Sequence, residues 1–125
     1  MEWSPVPGEE NVLAVWGTSF DDIWISADGS SYGTGWKVAM TYHGKTGAEG
    51  QLEWTNVDSR SRAALRGLWG SSANDIWAVG DVGVIRHVTD TMQSEWTIVD
   101  SPTREDLHGL WGSAADDIWA VGAAG

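Results

Sequence analysis

The sequence predicts an all-β fold assembled from repeated antiparallel units. One phrase occurs three times, as "WGTSFDDIWISA" (Trp16–Ala27), "WGSSANDIWAVG" (Trp69–Gly80) and "WGSAADDIWAVG" (Trp111–Gly122). Ten tryptophans and 16 glycines in 125 residues favour short strands, tight turns and flat side chains between flat sheets. No long stretch keeps the 3.6-residue apolar period of a helix, whereas "DIWAVG" alternates and is β-branched, as a strand requires.

The tryptophans fall in columns. Trp16 to Trp24, Trp69 to Trp77 and Trp111 to Trp119 are each 8 residues, and Trp69 to Trp111 is 42. A further column precedes each phrase at Trp3, Trp54 and Trp96, in "WSPV", "WTNV" and "WTIV". Only Trp36 lies outside the columns. A period near 42 made of strand-like pieces corresponds to a four-stranded propeller blade. In the second unit the innermost strand A is "LRGLWG" and strand B is "DIWAVG". Strand C is "VIRHV", and "WTIV" is the outermost strand D. Gly67 and Gly109 would let backbones crowd near a central axis.

The chain therefore divides into a strand D with its linker (1–12), a blade with long loops (13–57), a second blade (65–99) and strands A and B of an incomplete blade (107–125). Trp16 to Trp69 is 53 residues, about eleven more than the period, and the excess is assigned to loops in "ADGSSYGTG" and "GKTGAEGQ". The last unit lacks a strand C. Closed propellers use about four to eight blades, and each unit of a repeat fold buries its apolar face only against neighbours. Closure by self-assembly is expected. A dimer supplies six blades and is favoured; a trimer supplies nine and is the alternative. A piece of a longer propeller is the other reading.

"LWGSSANDIWAVG", followed by "DVGVIRHV" and "EWTIV", resembles the tryptophan-rich β-propeller repeats of bacterial surface and secreted proteins, whose blades read L-W-G-S-x-x-x-D-[IV]-W-A-V-G. The first copy departs from the pattern, with "WISADGS" in place of "WAVGDVG". The resemblance implies a propeller, a binding or unassigned role, and a secreted or cell-surface location. "MEWSPVPGEE" is neither a signal peptide nor a membrane-span start, so the compartment stays open.

Composition narrows the partners. Seven Lys+Arg against 18 Asp+Glu leave a net charge of −11, which disfavours nucleic acid and anionic membranes. Without cysteine there is no disulfide, thiolate zinc site or thiol nucleophile. No membrane insertion and no cofactor are expected.

Repetition decides how candidate residues are read. Trp16, Trp24, Trp54, Trp69, Trp77, Trp96, Trp111 and Trp119, with Trp3, are assigned to packing between blades, where each buries ~150–250 Å². The non-repeated Trp36, beside Tyr32 in an inserted loop, is the better sugar-stacking candidate. Asp22, Asp75 and Asp117 take one position in every copy, before Ile-Trp, and are assigned to stabilising the turn by accepting N–H bonds. Acid/base or calcium chemistry is the competing reading, but an active site does not need one residue in every unit. The three histidines form no column and no metal-ligand spacing, so no metal site is expected. Ser71, Ser72 and Asn74, with Ser113 and Asp116, mark repeated polar turns able to bind a multivalent ligand such as a carbohydrate or surface polymer. The leading expectation is a non-enzymatic, self-assembling propeller module that binds at these loops. A purely structural assembly without ligand is the alternative, and part of a propeller enzyme is a remote one.

Overall fold

Within each sheet of the computed structural model, which describes residues 12–19, 22–31, 37–90 and 95–122, successive strands are antiparallel neighbours. The first sheet has the order β1 (Val12–Ser19), β2 (Asp22–Ser31), β3 (Lys37–Thr46), β4 (Leu52–Asp58). The second repeats that order with β5 (Leu65–Ser72), β6 (Asp75–Gly80), β7 (Ile85–Val88) and β8 (Thr97–Val99). The third is the hairpin β9 (Leu107–Ala114) and β10 (Asp117–Gly122). The protein is all-β, with antiparallel pairing in every sheet. Among the described residues no helix is long and apolar enough to cross a membrane.

The tryptophan columns set the register. Trp16 lies opposite Trp24, Trp69 opposite Trp77, and Trp111 opposite Trp119. Each pair shares one face of its hairpin because side chains alternate along a strand and cross-strand partners point the same way.

Among the described residues, Ala27–Ser31 and Gly44–Thr46, expected from composition to lie in loops, lengthen the strands of the first unit instead. β2 and β3 have 10 residues each, against 6 and 4 in β6 and β7. Ala27–Ser31 continue β2 through a register shift, and Gly44–Thr46 belong to β3. Pairing with β3 holds Ala27–Ser31 extended, and pairing on both edges of β3 holds Gly44–Thr46, in spite of the weak strand propensity of their Gly, Asp and Lys. The β3–β4 loop is short and closes with Gly47 N–H donating to Gln51 O at 2.8 Å.

The sheets stack through their first strands: β1 lies against β5, and β5 against β9. The main core is between the first two sheets. Trp24, Ala39 and Val57 meet Leu65, Leu68, Ile76, Ala78, Val88 and Trp96. Trp96, with no exposed surface, stands edge-on to Trp24 at 5.4 Å between ring centroids. Its indole N–H donates to Thr41 Oγ1 at 2.8 Å and its backbone N–H to Asp58 O at 2.8 Å. Arg86 ties the same sheets together, its Nε donating to Ser59 O at 3.0 Å; burial lowers the pKa of its guanidinium, and the Arg60 charge acts the same way. Trp96 thus joins apolar burial with satisfied polar atoms, the combination that fixes the position of a buried indole.

Glycine permits the close approach at the stacking strands. A Cβ on Gly70 would stand 2.6 Å from Cη2 of Trp16, and one on Gly112 would stand 2.6 Å from Cη2 of Trp69. A Cβ on Gly67 would stand 3.4 Å from Cβ of Leu110. One step therefore recurs: the strand-A tryptophan of a sheet covers the glycine that follows the strand-A tryptophan of the next sheet.

Candidate functional site

Each hairpin carries an aspartate at the start of its second strand, and that carboxylate gathers the polar side chains around it. In the second sheet Ser71 Oγ donates to Asp75 Oδ2, and His87 Nε2 meets Asp75 Oδ1 at 2.6 Å. The His87 ring stacks on Trp77 with centroids 3.7 Å apart. In the first sheet Thr18 Oγ1 donates to Asp22 Oδ2 at 2.7 Å, and His43 Nε2 meets Asp22 Oδ1. The His43 ring stacks on Trp24 at 4.1 Å. In the third sheet Ser113 Oγ donates to Asp117 Oδ2, while Oδ1 accepts the Trp119 indole N–H at 3.1 Å.

Strand pairing builds these clusters. The hydroxyl lies four residues before the carboxylate, across the hairpin turn. The histidine comes from the third strand, where His43 faces Trp24 and His87 faces Trp77. The two histidines therefore share one structural position, which corrects the reading that they form no column. Their sequence distances from the paired tryptophan, 19 and 10 residues, differ because β2 and β3 are longer than β6 and β7. One histidine in each third strand, facing the threonine after the outer tryptophan (Thr55 and Thr97), was the available signal.

Electrostatics at Asp75 are a contest. Burial alone raises its pKa, but hydrogen bonds from Ser71 and His87, with the His87 charge and the Trp77 dipole, outweigh it. The carboxyl ends below its ordinary value. The Trp77 indole N–H is the smallest contributor and makes no hydrogen bond of good geometry to any described residue.

The connectivity differs from that of a hydrolytic triad. A serine nucleophile needs an imidazole that takes its proton, with the carboxylate behind the imidazole. Here Ser71 and His87 converge on the same carboxylate. The carboxylate is the hub, and the cluster clamps strands A, B and C together.

Comparison with known protein families, curated proteins and solved structures gave no match.

The remaining sequence candidates are dispersed. Trp3, Tyr32 and Trp36 lie outside the described residues. Ser72, Asn74 and Asp116 are exposed at the hairpin turns, with Ser72 Oγ accepting the Asn74 N–H at 3.3 Å. The Ser71 and Ser113 hydroxyls are engaged by the neighbouring aspartates. Among the described core tryptophans, Trp24 and Trp96 are fully buried and Trp16, Trp54, Trp69 and Trp77 partly so. Trp111 and Trp119, expected in packing between units, are 62% and 64% exposed. Among the described residues no further sheet lies against their face of the third sheet as the second sheet lies against Trp16 and Trp24. Among the described residues no group of three His, Cys, Asp or Glu side chains is placed to hold a metal ion.

Proposed function

We propose that this chain is a non-enzymatic β-propeller module that closes into a ring with a second copy of itself. The observation that carries the reading is the recurring step between sheets. Trp16 covers Gly70 and Trp69 covers Gly112, while Trp111 is exposed and Gly17, its counterpart on the first sheet, is exposed too. The second half of the step behaves the same way. Leu110 meets Gly67, while Val15, the counterpart of Leu110, is 65% exposed, and among the described residues a Cβ built on Gly109 meets only Val121 of its own sheet within 4 Å. The first and last sheets thus present the two unmatched halves of an interface already formed twice inside the chain. Repeating the step between copies is a heterologous contact, which gives a ring when the rotation closes. Two copies supply six sheets, within the range of about four to eight that propellers use.

Light scattering at low micromolar concentration tests the reading. Twice the 13.5 kDa of one chain is expected; a single monomeric species refutes it.

A second reading concerns what the ring displays. The turns Ala73–Asn74 and Ala115–Asp116 sit at the same end of equivalent hairpins and include exposed polar groups. Repeated weak sites on one rim suit a repeating polymer such as a carbohydrate, through avidity. Glycan-array binding by the assembled protein checks this, and silence across a broad panel leaves the purely structural role.

A further inference from the structure

We propose that Arg60 and Arg86, where the chain crosses from the first sheet to the second, form a binding site for an oxyanion: a carboxylate or phosphate group on a small ligand. The site lies between two sheets that are already in contact, so it is independent of ring closure.

All five arginines of the chain lie at one end of the sheets. Arg60 and Arg62 are in the linker between β4 and β5, and Arg104 is in the linker between β8 and β9. Arg66 and Arg86 are the second residues of β5 and β7. The linkers and the β6–β7 turn share an end because neighbouring strands alternate in direction. The hairpin turns that precede Asp22, Asp75 and Asp117 are at the opposite end. The net charge of −11 is therefore unevenly distributed, and the linker end is its basic side.

Arg86 is a buried cation without an anion. It is 8% exposed. Its Nε donates to Ser59 O at 3.0 Å, Nη1 to Ile85 O at 2.9 Å and Nη2 to Arg60 O at 2.5 Å. These carbonyls use three of the five N–H groups of the guanidinium. They leave its charge uncompensated, and the charge that acts on it is the like charge of Arg60. Arg66 shows the ordinary arrangement, with Nε and Nη2 donating to the two oxygens of Asp81 at 2.6 and 3.1 Å. A buried charge is normally paired, because its removal from water is costly. An oxyanion between the two guanidiniums accepts charge-assisted bonds from both and offsets their repulsion.

The turn does not explain Arg60. Its φ of 55° is left-handed, a conformation that glycine adopts without strain. The next linker builds the same serine turn with Pro102 in the place of Arg60: Ser101 Oγ accepts the Thr103 N–H as Ser59 Oγ accepts the Ser61 N–H. In the first sheet Tyr42 takes the place of Arg86, one residue before the third-strand histidine. The pair thus stands outside the repeated pattern, and its side chains are kept in spite of backbone strain, as at binding sites. The neighbouring carboxylates leave room for a ligand. Asp58 Oδ1 accepts the Arg60 backbone N–H at 2.9 Å. Glu95 Oε1 is 4.0 Å from Arg60 Nη1, with the two side chains 57% and 43% exposed. A contact that long between solvated groups is weak and yields to an anion held by two arginines.

The experiment is calorimetric titration of the full chain, at fixed ionic strength, with inorganic phosphate and with galacturonate, beside neutral galactose. Saturable binding of at least one anion is expected, without binding of galactose, and the anion that binds identifies the source of the group. Arg60→Gly removes one guanidinium and relieves the positive φ. Its melting temperature is expected not to fall, while affinity drops about tenfold or more, as for loss of charge-assisted hydrogen bonds. Arg60→Gln keeps a long polar side chain without the charge and is expected to lose the same affinity. Absence of saturable binding of both anions, equal binding of galactose and galacturonate, or full affinity in either variant overturns the proposal.

Discussion

The indole of Trp69 lies across Gly112, at the point where a methyl group would stand 2.6 Å from its Cη2 atom. The same relationship holds between Trp16 and Gly70. A large flat side chain against a residue without one lets two strands approach more closely than two side-chained residues allow. This is why tryptophan and glycine are adjacent in the repeated phrase.

Gly70→Ala places a carbon against Trp16 on one side and against the Asp75 carbonyl, 2.8 Å away, on the other. The carbonyl is backbone and yields little. Overpacking of this kind costs about 1–3 kcal/mol. Urea denaturation is expected to show a lower midpoint with an unchanged slope, and an unaltered midpoint would remove the close-packing argument.

Trp96→Ala removes the side chain that joins the first two sheets, together with its bond to Thr41. A loss of about 3–5 kcal/mol is expected, as for other large aromatics removed from a core. A loss below 1 kcal/mol would mean that Trp96 does not anchor the core.

Acid tests the hub of the second cluster. The Asp75 carboxyl titrates below its ordinary value in the folded protein. Its ionised form therefore adds stability that is fully present above the unfolded-state value of about 3.9. That contribution is lost as pH falls through the lower folded value. Thermal melts across pH 2–6 are expected to show a steeper acid decline for the unaltered chain than for Asp75→Asn; parallel curves would deny the shift.

Trp111→Glu separates folding from assembly. The side chain is 62% exposed in the single chain, so its replacement is expected to leave far-UV circular dichroism unchanged. A charge placed where the indole would meet a second copy is expected to convert the dimer to monomer. An unchanged mass would place the contact elsewhere.

Sequence made the order of strands and the tryptophan register legible, because a column of large apolar residues spaced 8 apart fixes both the hairpin and its face. Strand length in the first sheet was not legible. Glycine, serine and threonine around 27–31 and 44–46 compose as loop, and only pairing with neighbours holds them extended. The three aspartates stood out as one position per unit, but their partners did not. A histidine across an antiparallel pair keeps its place in space while its distance in sequence changes with hairpin length, as His43 and His87 show. Trp111 and Trp119 share the motif of the covered tryptophans and are exposed all the same, since a residue's burial depends on the neighbouring sheet and not on its own motif.

Disulfide trapping tests the closing interface most directly, because the chain contains no cysteine of its own. A Cβ on Gly67 would lie 3.4 Å from Cβ of Leu110, close to the separation of about 3.5–4.5 Å that a disulfide spans. The counterparts of that pair across the proposed interface are Gly109 of one copy and Val15 of the next. The chain carrying Gly109→Cys and Val15→Cys is expected to oxidise to a single covalent dimer on a non-reducing gel, while Gly67→Cys with Leu110→Cys cross-links within one chain. If the internal pair closes while the Gly109–Val15 pair stays monomeric or forms an open ladder, the ring is contradicted.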